Sequence, residues 1–368
     1  MELRYFILRR ILVIIPTIIG LTILVFLIMW AIPFDQLIAP YIHQKGLSRA
    51  QATLVVEQQL GFYKNDPVLT YLFYLRDLFS GNWGIMFGSA SPYNGPVINA
   101  IEIFLPNTIQ LAIGAVIVSM AISIPVGTYI GSRPNSLGDQ FGRVFSLAGY
   151  AMPGFWLAYL LIYLFAKNTG ILLPVVPWGG NGLNGYYSSG HLVPWIPIQV
   201  NGHPVSDLTS YPTHVLLIDS LLNGNIYWFT KAVEYLILPV LTLTYGILAG
   251  LLRFIRAGMV DSINQEYVKT ARAKGVPEKT IIKRHVRKNA LIPTVTVLGL
   301  LVAGLLGGAV AVEFVFGYYG IGYLTVLSAE DLQVWAVMGT TIVFGIVLVI
   351  ANLVVDVVYA YLDPRIRY

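Results

Sequence analysis

The sequence predicts an all-α membrane protein with six transmembrane helices and two sizeable external segments. Three observations carry that prediction. Of 368 residues, 56% are hydrophobic and only 11% charged, whereas soluble domains carry about 25% charged residues. Six apolar runs are each long enough, at about 20 residues, to cross hydrocarbon as a helix. The cations gather on alternate connections between those runs.

The basic arm MELRYFILRR precedes Ile11–Ile32, 22 residues without a charge, about 33 Å as a helix. A signal peptide has a shorter apolar region and a small-residue cleavage site, so a retained membrane helix is expected over 1–32. From Pro33 to Glu102 the composition is mixed, with turn signals at Asp66-Pro67, Gly81-Asn82 and Gly88–Pro96. Gln51–Leu60 reads as a short helix inside this external segment, 33–102.

The next runs are 103–130 and 144–166, within a region 103–166, then 233–252, 291–312 and 334–355, within a region 232–362. Pro106, Pro125 and Pro153 fall in or beside them, breaks that membrane helices tolerate where neighbours satisfy the freed carbonyls. Between the two regions lies an external insertion, 167–231, with Trp178, Tyr186, Tyr187 and Trp195 among its aromatics. Such rings stack on sugars or supply contact area to a docked protein. The other reading is a small loop core and an interfacial aromatic belt.

Six spans put both termini on one side. That side carries 17 of the 23 Lys and Arg residues, ten of them between Arg253 and Lys288. The positive-inside rule places both termini, the loop 253–290 and the tail 363–368 in the cytoplasm, and the expected location is the plasma membrane. The net charge of +5 therefore follows topology and does not call for nucleic acid. The absence of cysteine closes disulfide, thiol and cysteine-metal chemistry.

Other chemistry is equally sparse. No GxxxxGK[ST] phosphate loop occurs, and Gly304–Gly308 lies inside a span, where glycines serve close helix packing. The five histidines are scattered, which disfavours a metallopeptidase, and a membrane enzyme lacks a nucleophile and base at useful spacing. Glu234 and Asp356 sit near span ends, within reach of water or headgroups. Glu313 is deeper, ahead of the turn GYYGIG. Asn107, Thr108 and Gln110 on the second run, Ser146 on the third and Asn352 on the sixth either line a polar pathway with Glu313 or bond across helices. An ion-driven transporter would show a charge relay near the midplane and internal repeats, and neither is found.

The basic loop is the most informative stretch. Tyr267–Lys274 contains good helix formers, Gly275 can end a helix in the left-handed region, and Pro277 suits the first turn of a second helix. Glu278 then opposes that helix's dipole favourably. Ala271 and Ala273 are small enough for close approach by another surface, and Lys269, Arg272 and Lys274 supply charge. A basic juxtamembrane loop held by anionic lipid is the plain alternative.

KTARAKG at 269–275 with NALIP at 289–293 resembles the EAA loop of ABC-importer permeases, in its dipeptide/oligopeptide branch. LPNT at 105–108, IPVG at 124–127, MPGFW at 152–156, VLGLLVAGLLGGAVAVEFVF at 297–316 and LDPRIRY at 362–368 resemble that family's landmarks in the same order. The similarity covers about 1–166 and 232–368. It implies the type I ABC importer permease fold, a second and different homologous permease, two cytoplasmic ABC ATPases and an external substrate-binding protein. It implies that ATP and Mg reside in the ATPases, with no cofactor in this chain and no enzyme activity of its own. It also implies that Glu266, Tyr267, Thr270, Ala271, Arg272, Ala273 and Gly275 form the ATPase-coupling surface. Peptides are the implied cargo; nickel and oligosaccharides occur in the same branch. Two departures stand out: Lys269 occupies the position of the motif's acid, and the insertion 167–231 is longer than the family's usual connection.

Overall fold

In hydrocarbon a backbone must bond to itself, and the computed structural model is accordingly built of helices. It describes residues 3–43, 45–59, 61–62, 66–87, 93–168, 199–200, 203–204 and 213–362. Trp178, Tyr186, Tyr187 and Trp195 lie outside the described residues, as does the terminal 363–368.

Helix α1 (Leu3–Ala31) presents Ile11, Leu12, Ile15, Ile19, Leu24 and Leu27 outward, a face suited to lipid. Its opposite face packs on the last helix, α14. Three short helices follow: α2 (Phe34–His43), α3 (Arg49–Leu54), continued by a wide turn over Val55–Gln59, and α4 (Pro67–Ser80). Ser48 and Gln51 form a reciprocal capping box on α3, and Asp66 caps α4 with Pro67 in its first turn. Strands β1 (Ile85–Met86) and β2 (Gly95–Pro96) pair antiparallel, Ile85 opposite Pro96. This segment has its own core, in which Leu37, Tyr41, Val56 and Phe62 meet Phe26 and Met29 of α1 and Met338 and Ile342 of α14. It is thus seated on the ends of the first and last spans.

Helix α5 (Val97–Gly131) leads to α6 (Leu137–Ala151) and α7 (Gly154–Leu161), which widens over Ile162–Asn168. The sequence predicts one span over 144–166, but α6 and the helix from Gly154 to Phe165 meet at 106°. Proline is the cause: the residue before it is pushed out of the helical region, and Met152 is extended at φ −91°, ψ 118°. Strands β3 (Gln199–Val200) and β4 (His203–Pro204) form a second antiparallel pair, and α8 (Leu216–Leu222) precedes the longest helix, α9 (Ile226–Ile263). Asn225 caps α9 through the Trp228 N–H.

Beyond α9 come α10 (Glu266–Ala273), α11 (Glu278–Thr280) with a wide turn over Ile281–Val286, α12 (Arg287–Phe316), α13 (Ile321–Glu330) and α14 (Val334–Leu362). Among the described residues four helices are individually long and apolar enough to cross a membrane. Counting each of two bent pairs as one crossing, α6 with α7 and the end of α12 with α13, brings the number to six. The protein is a multi-pass membrane protein.

Helix α9 lies at the centre, against α5, α6, α7, α8 and α12. Small residues allow that approach, as they do wherever membrane helices pack closely. A Cβ on Gly131 of α5 would sit 2.5 Å from the Met259 Cβ, and one on Gly258 would sit 2.6 Å from the Ala290 carbonyl oxygen of α12. The core accordingly runs through Phe104, Leu111, Leu238, Leu251, Ile255 and Met259.

Candidate functional site

Two polar assemblies sit at opposite ends of this bundle. At one end, α9 continues as helix through Arg253 and Arg256 to Ile263, so only the stretch from Asn264 onward forms the connection to α12. Helix α10 stops where Gly275 adopts φ +71°, and Pro277 is extended ahead of α11. The resulting helical hairpin is nailed down by Val268, Ile281 and Val286, none of which is exposed. Arg272 closes it: its Nε donates to Glu278 Oε2 at 3.1 Å and its Nη2 to Oε1 at 2.6 Å. This forked contact holds the Glu278 carboxyl below the usual carboxylate range and raises the guanidinium.

Of the residues expected to couple, Glu266, Tyr267, Thr270, Arg272, Ala273 and Gly275 are exposed together on α10 and its end, while Ala271 is half-buried against the core. Glu266 pairs with Lys269 at 2.7 Å, so the acid three residues upstream faces the cation that replaces the motif's own acid. Arg272 differs from a simple contact residue, since its guanidinium is committed to Glu278.

Next to this hairpin lies a cluster that sequence reasoning missed. Asp139, fully buried in the first turn of α6, accepts from Arg256 of α9, through Nε to Oδ1 and through Nη2 to Oδ2 at 2.9 Å. The Asn135 N–H donates to Oδ2 at 2.9 Å, and Arg143 lies 3.5 Å from the same oxygen. Ser136 caps the helix through the Asp139 N–H. Only the Asp139–Arg143 spacing was visible locally; Arg256 is 117 positions away.

At the other end, the structure brings Asn107, Thr108 and Glu313 together. Glu313 is unexposed. Its Oε1 accepts from the Thr108 hydroxyl at 2.7 Å and its Oε2 from the Tyr323 N–H at 3.1 Å, while the Ile321 N–H donates to Thr108 at 2.8 Å. Asn107 Nδ2 donates to the Tyr319 carbonyl at 3.1 Å, and the Tyr318 hydroxyl donates to the Asn107 carbonyl at 3.2 Å. These bonds tie the turn 317–320 and α13 to α5. A Cβ on Gly320 would strike the Glu313 carboxylate, so the turn needs glycine there. Gln110, one turn further along α5, has a side-chain amide without a partner among the described residues. Ser146 is buried beside Arg143 and Arg256, and Asn352 is exposed on α14; neither joins this group. Asp356 pairs with Arg10 of α1 at 3.0 Å, and Glu234 with Lys231 at 2.6 Å. No group suited to a metal ion occurs among the described residues.

A bundle of long apolar helices with two bent crossings, carrying an exposed helical hairpin at one end, is the build of a membrane transport component. The chain belongs to the family of binding-protein-dependent transport system inner membrane components, whose family model matches residues 123–368. It is 35% identical over 355 residues to a probable D,D-dipeptide transport system permease protein of Escherichia coli K12, covering 94% of this chain and 93% of that protein. It is 32% identical to an oligopeptide transport system permease protein of Bacillus subtilis 168, covering 99% of each. A dipeptide transport system permease protein of Haemophilus influenzae is also 32% identical, covering 99% of both chains.

Proposed function

We propose that this chain is a permease subunit of an ATP-driven, binding-protein-dependent importer of di- and oligopeptides. The carrying observation is α10, an exposed helix of small and charged residues whose buried Val268 packs with the wide turn Ile281–Val286, which in turn packs on α9 and α12. Its partners are two cytoplasmic ABC ATPases that dock on this surface, a second homologous permease forming a heterodimer, and an external binding protein. ATP and Mg belong to the ATPases. The bias of 17 among 23 Lys and Arg residues supports a plasma-membrane orientation with α10 and both termini in the cytoplasm. Peptide cargo is supported over oligosaccharides or nickel by the peptide systems to which the near-full-length relatives belong.

The coupling is mechanical. Closure of the ATPases loads α10, and its buried anchors pass the load to α9 and α12. Asn107, Thr108 and Glu313 receive that motion at the far end through the turn they hold, and Gln110 offers a free amide to the path. Trp178, Tyr186, Tyr187 and Trp195 belong, in this reading, to the external face that meets the binding protein.

Gly275 gives the test. A Cβ there meets nothing within 4 Å, so Gly275→Ala carries only the backbone strain of φ +71°, about 1 kcal/mol. Gly275→Trp adds bulk to the docking face. In reconstituted complexes Gly275→Trp is expected to abolish substrate-stimulated ATP hydrolysis while membrane insertion persists and Gly275→Ala retains most of it. Unchanged stimulation in Gly275→Trp would refute the coupling surface. Calorimetry of the co-purified binding protein against peptides and oligosaccharides reads the cargo separately.

A further inference from the structure

Beside the Asp139–Arg256 pair, between α6 and α9, is a cavity of about 320 Å³. It is lined by Arg143, Arg253 and Arg256 together with Leu147, Tyr150 and Leu252. Charge does not balance there. Asp139 is spent on Arg256 and the Asn135 N–H, Arg143 reaches it only at 3.5 Å, and Arg253 is exposed with no ion pair among the described residues. Three guanidinium groups thus face one carboxylate.

The apolar wall does not stop at the cavity. Leu147 and Tyr150 continue a stripe on α6 with Leu137, Phe141 and Val144, all five more than half exposed. Arg143 and Arg253 also stand where the apolar runs 144–166 and 233–252 begin and end, the level of a membrane boundary. Arginines at that level, sharing a cavity with Leu147 and Tyr150 of an exposed apolar stripe, match an amphiphile with an anionic head.

We infer that this cavity is a binding site for an anionic phospholipid, its phosphate on Arg143 and Arg253 and its acyl chain along α6. Guanidinium groups bind phosphate oxygens in a forked geometry, and basic pockets between membrane helices take acidic headgroups. A free anion would leave the stripe unused, and a peptide carboxylate would leave a polar backbone against it. The site goes beyond the transport role proposed above and stands whether or not peptides are the cargo.

The test is native mass spectrometry of the full-length chain released from nanodiscs of phosphatidylcholine with phosphatidylglycerol. The intact protein should retain phosphatidylglycerol selectively. Arg143→Gln/Arg253→Gln should weaken that retention about thirtyfold, since each basic side chain at an anionic surface contributes about fivefold. Arg143→Lys/Arg253→Lys should recover much of it, which separates lost charge from lost fold. Equal retention of the two lipids, undiminished retention in the glutamine variant, or displacement of the lipid by inorganic phosphate or by a dipeptide would overturn the assignment.

Discussion

Asp139 illustrates how one carboxylate can hold an assembly. It is fully buried, yet it accepts from a guanidinium and a backbone N–H, and Arg143 stands nearby. Removing one partner of such a pair strands the other charge, a loss that is large in buried settings. Arg256 keeps about a quarter of its side chain in solvent, so Asp139→Ala is expected to lower stability by about 1–3 kcal/mol, the range for a lost charge-assisted hydrogen bond, read as a fall in the thermal midpoint of the detergent-solubilised chain. Glu313 and Gly320 make a second case, because the missing Cβ is what admits the carboxylate. Gly320→Ala should destabilise by about 1–3 kcal/mol through overpacking. In a Glu313→Ala/Gly320→Ala double variant the two losses should add to less than their sum, as expected of residues in contact. Additive losses would show that the two do not share the space. Glu278 gives a pH dependence. Its folded carboxyl is depressed by Arg272, so its contribution is fully present above the ordinary glutamate range and disappears as pH falls through the folded value. Amide exchange over 266–280 should be flat from neutral pH to about 5, after correction for intrinsic rates, and should rise only below about 4.

At the scale of elements, the bend between α6 and α7 follows from Pro153. Pro153→Ala restores an N–H and frees Met152 to become helical, so spin labels on cysteines placed at Leu137 and Tyr163 should move apart. An unchanged separation would transfer the cause to packing at Gly149, where a Cβ would overlap Ala249. This bend also shows what hydropathy leaves out. The apolar run 144–166 was evident, but a count of apolar residues is indifferent to direction. Only the Met152-Pro153 pair carried the angle. The hairpin was more legible, since Gly275 ends α10 at φ +71° as the sequence predicts, while Pro277, expected in the first turn of the second helix, stands one position earlier as its extended cap. What was not legible is long-range pairing. Arg256 has no local mark distinguishing it from Arg253, and the alliance of Thr108 with Glu313 spans 205 positions.

At the scale of the molecule, the chain stands α10 at one end of α9 and the small-helix layer of α2, α3 and α4 on the C-terminal end of α1 and the N-terminal end of α14. The absence of native cysteine makes the orientation directly measurable. A lone cysteine at Lys274, which is exposed, should react with an impermeant maleimide only after the membrane is opened. One at Ser80, exposed in the layer on the other face, should react in intact cells. The reverse pattern would invert the proposed topology and remove α10 from the compartment that holds ATP.

The length of α9 has a further consequence. Its 38 residues make a rod of about 57 Å, roughly twice the thickness of the hydrocarbon it crosses. A tilt of only about 10° swings one end past the other by about 10 Å, on the rise per residue of a helix. In the coupling proposed above, such a tilt would carry a displacement from the α10 end of the helix to its far end with no unfolding and no broken bond, Pro239 being the point inside it where a backbone hydrogen bond is already missing.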